Sequence, residues 1–550
     1  MLFFQILVFI ISIFLLSLSL SGYGTLVNLN IKKNFFLNIF LGFILVSSLI
    51  VTIHFFLRIS NLISFLIFTL GIIFFFYKKE FNLLKLIKVK NLSYLVIFLA
   101  LIPIFLSQKY HEDFGYYHLP YAIGLVEDKI IFGFANIDQS FVYNSIWLNL
   151  YSIFFLGEKN FNFLTLPSYL LFLIFILFCF HKIISNDKKF ISDYFLLVTL
   201  FYFILKFTRI SEFGVDLPAS IFSILTIYYF LKFSEVDSRH EKKEYFFLIL
   251  IFSIFSILIK LSTIPIVLLP IFLYFKYFNY LKFDIFKFKF FLIYILLISF
   301  LIQQFIYTGC LFFPSNFTCF NVSWFSKDIL NLSYQLELIN KSYFSVAKDF
   351  LSPDEYLKDF NWLSYWFKRN LVEILEHLLT MSFPVLLYLF FQKKKNDEKF
   401  IFSEKLGLYL FLLLGFLFWL NFSPVYRFAI YLFLTLIFAL FVRNLSSRAF
   451  SKKIFMIFII AFIFFSFSKN IIRLTKVENV FIGILKINNQ YKLSDKNTSE
   501  LMKVYEPDIK KNLSNGWQGG LCWNIPFICS YNKLELRKKN GYLIINKLNN

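Results

Sequence analysis

Runs of 16 to 22 residues with almost no charge recur along this chain, and that feature governs what it can fold into. At about 1.5 Å of rise per residue, one such run in helical form crosses the hydrocarbon core of a bilayer. Inside a bilayer no water pairs with backbone N–H and C=O groups, so helices are the natural way to bury these runs. Composition agrees, with 59% hydrophobic and 16% charged residues and 84 Phe among 550, beyond the apolar share of ordinary soluble domains. A soluble enzyme, a fibrous protein and a disordered scaffold are excluded.

The formal net charge of +22 does not point to nucleic acid. Its basic residues, 46 Lys and 9 Arg, are spread through short connections between apolar runs. A nucleic-acid protein gathers its charge on one face. The Lys excess, with so much Phe, Ile and Asn, is the bias of an AT-rich genome, and no nucleic-acid partner is expected.

The hydropathy pattern predicts about 14 spans, at 1–21, 35–57, 62–77, 92–107, 163–182, 190–207, 214–233, 244–259, 262–277, 289–307, 371–391, 403–420, 424–443 and 453–468. Residues 1–21 lack the basic start and small-residue cleavage site of a signal peptide and are read as a span. The fold class expected is therefore an all-α polytopic membrane protein. Residues 1–91 form N-terminal transmembrane helices, 92–468 a transmembrane core, and 469–550 a small C-terminal lobe.

Alternate connections differ in charge. Lys32, Lys78, Lys182, Arg239, the lysines of 276–289, Lys393 and Arg443 to Lys453 fall in one set. By the positive-inside rule that set is cytoplasmic. The other set is then exoplasmic and includes the long segments 108–162, 308–370 and 469–550, with both termini on that side. The localisation expected is a bacterial inner membrane. Cysteine gives a check that uses no charge: Cys179 lies in a span, while Cys310, Cys319, Cys522 and Cys529 all fall on the exoplasmic side as two close pairs. Disulfides persist there, so Cys310–Cys319 and Cys522–Cys529 are expected, against chance placement of a rare residue. No His stands at ligand spacing for a zinc site.

Chemistry concentrates in the exoplasmic set. His111, Glu112, Asp113, Tyr116, Tyr117 and His118 follow directly on a span. A polar interfacial loop with Tyr at headgroup level is the plain alternative. Acids number only 33 in the chain, however, and adjacent acids beside a membrane are costly unless they serve a purpose. They are candidates for a general base. Asp216 opens a span on the same side, where it is either a helix cap or a site residue. Lys260 interrupts two apolar runs, and Arg427 follows a short break after Pro424. Where Lys is used five times as often as Arg, an Arg suggests a bidentate task such as holding phosphate. A snorkelling Lys and an interfacial Arg anchor are the alternatives.

These residues carry a resemblance. Glu112-Asp113 resembles the modified acidic signature of the GT-C superfamily of integral-membrane glycosyltransferases. Asp113 to Pro120, Gly133 to Asn136, Asn144 to Trp147, Asp216 to Pro218, Lys260 with Ser262, Gly309 to Ser315 and Pro424 to Phe428 follow in the order seen in a group of uncharacterised bacterial members. The likeness runs from about 92 to 443, with a looser one around Cys522, Trp523 and Cys529. More distant relatives are the protein O-mannosyltransferases and the lipid A aminoarabinose transferase. This chain departs from simpler members in carrying extra spans ahead of the acidic loop.

The resemblance implies a GT-C-like fold and an enzyme that moves a sugar from a polyprenyl-phosphate donor to an exoplasmic acceptor, a cell-envelope glycan, lipid or protein, with inversion. Asp113 would be the catalytic base, and Glu112 would orient it or raise its pKa through like-charge coupling. Asp216, Lys260, Arg427, His118 and Tyr117 would bind substrate, the two cations meeting the departing phosphate. No nucleotide-sugar site is needed, and no organic cofactor is implied. A divalent metal is left open, with Glu112, Asp113 and Asp216 as its ligands. Trp324, Trp362, Trp366, Trp517 and Trp523 could cover the site, although interfacial anchoring is the plainer reading of Trp362 and Trp366. Rival readings are a transporter or flippase for a lipid-linked saccharide, an O-antigen polymerase or ligase, and an assembly scaffold. A transporter places ionisable groups near the bilayer midplane and shows repeats.

Overall fold

The computed structural model describes residues 2–31, 34–78, 92–106, 113–154, 166–185, 189–206, 214–282, 287–313, 315–325, 328–394, 403–476, 504, 522 and 527–548. Each of the predicted apolar stretches holds a helix. Among the described residues nine helices are long and apolar enough to cross a membrane, and shorter apolar helices accompany them. The chain is a helical, polytopic membrane protein.

Helices α1 (Leu2–Thr25), α2 (Phe35–His54) and α3 (Asn61–Tyr77) form one sheaf, and α4 (Leu92–Leu106) follows. Asn34 and Ser60 cap α2 and α3 by accepting from Leu37 N–H and Ile63 N–H. Backbones touch within the sheaf: a Cβ on Gly22 would lie 1.8 Å from Gly71 O, and one on Gly42 1.9 Å from Leu20 O. Between membrane helices such close approach replaces the hydrophobic drive that lipid removes.

The buried centre is built from α5 (Leu166–Ser185), α6 (Ile191–Lys206), α7 (Asp216–Glu235) and α8 (Arg239–Ile259). Around α7 nearly every apolar side chain is enclosed, as expected of a helix apolar on all faces. A 3₁₀ turn (Leu261–Val267) leads into α9 (Leu268–Lys276), and α10 (Phe288–Thr308) returns. The outer helices are α11 (Trp362–Phe391), α12 (Lys405–Phe422), α13 (Ile430–Ser446) and α14 (Lys452–Lys476). Large apolar side chains of α11, α12 and α14 remain exposed, as in helices that face lipid. Some starts differ from expectation. Helix α8 begins at Arg239 rather than 244 because its first turn is polar, and α11 at Trp362 rather than 371 because Lys368, Arg369 and Asn370 interrupt its apolar run. Helix α13 begins at Ile430 rather than 424, behind the turn Tyr426–Ala429.

The two sets of connections gather at opposite ends. At the lysine end Ser192 N–H donates to Glu235 (2.6 Å), Lys289 pairs with Glu244 (2.7 Å), Lys276 with Glu404 (3.2 Å), and Ala449 N–H donates to Lys393 O (2.9 Å). At the other end lie the disulfides Cys310–Cys319 and Cys522–Cys529.

At that disulfide end residues 113–154 fold inward instead of lying in solvent. A π-helical turn (Phe114–His118) runs into a helix (Leu119–Glu127), and a further short helix (Ile146–Tyr151) is wholly buried. Tyr121 donates to Asn144 and Asn149 (2.8 Å each), and both amides donate to Gln303 Oε1 (3.1 and 2.8 Å) on α10. Ser145 Oγ donates to Ile259 O (2.8 Å), and Trp147 Nε1 to Tyr151 and Ser168 (3.1 and 3.2 Å). The motif Asn144 to Trp147 is thus the anchor of this loop.

The described part of the tail forms β1 (Leu534–Lys539) and β2 (Tyr542–Lys547), antiparallel, with Leu534 opposite Lys547. Its turn is Asn540-Gly541, both with positive φ (51° and 76°), the pairing a tight hairpin prefers. The hairpin packs on the first loop. Phe132 N–H donates to Leu543 O (3.0 Å) and Ile545 N–H to Phe132 O (2.8 Å), so β2 pairs with the first loop. Next to it Gly133 has φ 73°, and a Cβ there would lie 2.2 Å from Ile545 O. Asn136 Nδ2 donates to Ile545 O and Trp324 O (2.8 Å each), joining the tail to the 308–370 segment. The motif Gly133 to Asn136 is therefore a docking point.

Candidate functional site

Three helix ends and the first loop meet at the disulfide end. Helix α8 stops at Ile259, and Lys260 takes an extended conformation (φ −154°). A hydroxyl chain holds that turn to α7: Ser223 Oγ lies 2.7 Å from Ser256 Oγ, which donates to Thr263 Oγ1 at 3.0 Å. Helix α12 stops at Phe422, and Pro424, lacking an N–H, keeps it from continuing into α13. Two indoles fix the break: Trp366 Nε1 donates to Pro424 O (2.8 Å) and Trp419 Nε1 to Val425 O (2.9 Å). The turn Tyr426–Ala429 then presents Arg427.

Asp216 is the first residue of α7, yet its side chain makes no cap; Val215 holds the cap position. One carboxylate oxygen pairs with Lys260 Nζ and the other with Arg427 Nε (3.2 Å). The ammonium of Lys260 also sits 3.3 Å from the centroid of the Phe428 ring, an arrangement attractive in its own right. The field of Asp113 reaches both Lys260 and Tyr117. Tyr117 also feels Asp216 and Arg427, and burial foremost, then Asp113, pushes its phenol well above the usual range. Burial pulls the Lys260 ammonium below the usual lysine range, with Asp216 opposing.

The structure thus brings together Asp113, Tyr117, Asp216, Lys260 and Arg427. His118 is buried beside them, its ring 4.1 Å from that of Tyr117. Tyr116 instead hydrogen-bonds Asp138, whose carboxyl is raised by burial. His111, Glu112, Pro314, Trp517 and Trp523 lie outside the described residues. Three expectations change. Lys260 and Arg427 share the Asp216 carboxylate rather than standing apart from it, with the Arg427 guanidinium still half exposed. Trp362 and Trp366 are fully enclosed rather than interfacial anchors; Lys341 Nζ lies 4.7 Å over the Trp362 ring. Helix capping does not explain Asp216.

A neighbouring cluster was missed from sequence. Tyr202 OH lies 2.7 Å from His377 Nδ1, the His377 ring lies 4.2 Å from that of Tyr426 and is tilted by 34° to it, and the Tyr426 phenol bonds Glu373. Lys206 pairs with Glu376 beside it. The available signal was Glu373, Glu376 and His377 at helical spacing at the head of an apolar run.

Among the described residues no three His, Cys, Asp or Glu side chains stand close enough to hold a metal. Asp216, already paired with two cations, does not suit that role.

The fold and this cluster define a polytopic helical membrane protein whose acids and cations, distant in sequence, converge at one end of the bundle. Residues 5–434 match the family described as Domain of unknown function (DUF8201), and the chain belongs to that family. No curated protein and no solved structure matches it.

Proposed function

We propose that this protein is a GT-C-like membrane glycosyltransferase that moves a sugar from a polyprenyl-phosphate donor to an acceptor on the disulfide side of a bacterial inner membrane. The observation that carries the reading is the convergence of Asp113, Asp216, Lys260 and Arg427 from four separate elements. In this reading all fourteen apolar stretches cross the bilayer, the lysine end is cytoplasmic, and both termini and both disulfides are exoplasmic.

The chemistry assigns each group one task. The donor's apolar tail lies in lipid while its phosphate rests at the headgroup plane. Lys260 and Arg427 meet that phosphate, and Asp216, holding both, is a positioning residue that keeps the two cations from drifting apart. Asp113 accepts the proton of the acceptor hydroxyl. The hydroxyl oxygen attacks the anomeric carbon as the carbon–oxygen bond to phosphate breaks, through an oxocarbenium-like transition state. The polyprenyl phosphate leaves with the bonding pair, and its growing charge is what fixed cations stabilise most. Attack from the opposite ring face inverts the centre. Ionisable groups at helix ends rather than at midplane favour this reading over a transporter.

The test uses the full-length protein in nanodiscs with a panel of polyprenyl-phosphate sugars and envelope extract as acceptor, following release of polyprenyl phosphate. Asp113→Asn is expected to bind the lipid phosphate as the parent does and to release none. Release at the parental rate by that variant would remove Asp113 as the base.

A further inference from the structure

Between Tyr343 and Phe367 the chain shows an unusual outer face. Phe350 is 62% exposed and Phe360 59%, with Phe344 and Phe367 also open. In a segment meeting only water, such aromatic exposure is a liability. Phe360 and Asp359 both hold positive φ (61° and 51°), a conformation costly for a bulky side chain.

The segment is continuous with a lipid-facing surface. Phe367, Leu371, Leu375, Leu379 and Phe383 are all exposed and recur every fourth residue, so one stripe runs down α11 from this segment into its apolar length. The charges around the aromatics balance: Lys348, Lys358, Lys368 and Arg369 are matched by as many exposed carboxylates between 349 and 359. The inner face is fastened to the protein. Tyr356 OH donates to Lys341 O (2.6 Å), and Trp366 reaches the Pro424 turn.

We propose that residues 343–367 are seated in the headgroup layer of the surrounding bilayer, with Phe350 and Phe360 as its anchors. The segment is a brace that sets the height of the Arg427 turn against the lipid surface, because Trp366 belongs to the one and grips the other. Its seating depends on aromatic insertion rather than on net charge, since the cations and carboxylates of residues 343–369 cancel. The inference stands on exposure and continuity and does not require the transfer reaction.

The experiment places a spin label on F350C or F360C of the full chain in phosphatidylcholine nanodiscs and compares collision with oxygen and with a water-soluble nickel chelate. K538C, exposed on the hairpin, marks the aqueous limit and L379C the apolar one. Labels at 350 and 360 are expected to favour oxygen several-fold over K538C, and to keep that ratio when half the lipid is replaced by phosphatidylglycerol. Ratios equal to that of K538C would overturn the proposal, and so would seating that appears only with the anionic lipid. Should a cysteine variant fail to fold, F350W and F360W with brominated acyl chains give the same reading: added quenching supports seating and its absence overturns it.

Discussion

Asp216 joins two cations, and removing it tests whether the cluster is built as described. Its pair with Lys260 is largely dehydrated, the side chains being 26% and 19% exposed. Breaking a fully buried pair costs about 3–5 kcal/mol, whereas exposed pairs contribute about 0–1 kcal/mol. A pair at this depth falls between, so Asp216→Asn is expected to destabilise by about 2 kcal/mol on that interpolation. The half-exposed Arg427 adds little to this sum because solvent screens it. Lys260→Met keeps the apolar stem against Phe428 while removing the charge. The double variant should lose less than the two single losses added, by about 1–2 kcal/mol, the coupling expected of partners in direct contact. The chain supplies its own reporter. Cys179 is its free, buried cysteine, the other four being paired. A thiol-reactive dye therefore reads unfolding of the centre, and the single variants should melt a few degrees early. Additivity to within roughly 0.3 kcal/mol would refute the shared ion pair.

Other outcomes follow from the same geometry. Arg427→Ala should weaken binding of a polyprenyl phosphate, measured by lipid titration in nanodiscs, more than Arg427→Lys does; equal losses would argue against a guanidinium-specific contact. Gly133→Ala meets Ile545 O and an unfavourable φ at once, so the amides of 530–548 should exchange with deuterium faster than in the parent, at a cost of about 1–3 kcal/mol. Asp138, raised by burial from its ordinary value of 3.8, binds a proton more readily folded than unfolded. Its loop should therefore lose stability as pH rises through the window from about 4 up to the raised value, and keep it below. Hydrogen exchange at Ser140 and Phe141, corrected for intrinsic rates, should show that slope in the parent and lose it in Asp138→Asn.

Much of the fold was legible because hydropathy is a local sum: a run such as 35–54 declares its helix without reference to anything else. The meeting of Asp216, Lys260 and Arg427 was legible at one remove, through the alternation that puts three distant turns at the same end. That both cations would share one carboxylate was not, since sidedness fixes a plane and not a distance. Trp366 misled for a related reason: its residue type predicts an interface, while its indole is consumed by the Pro424 carbonyl. The hairpin did have a local signal in Asn540-Gly541 between alternating residues, but its partner Phe132 could not be inferred from any window. Starts at Arg239 and Trp362 were lost because charged residues, in the first turn of α8 and at 368–370 of α11, dilute an apolar average.

The contact between Asn136 and Ile545 spans 409 positions. Strand β2 leaves the ribosome after helices α1 to α14, so the acid-bearing loop stays with one edge bare until the hairpin is made. Closing of this seam follows the helices, and a truncation that spares them but removes Leu534–Lys547 would yield an inserted molecule whose first loop never gains its strand.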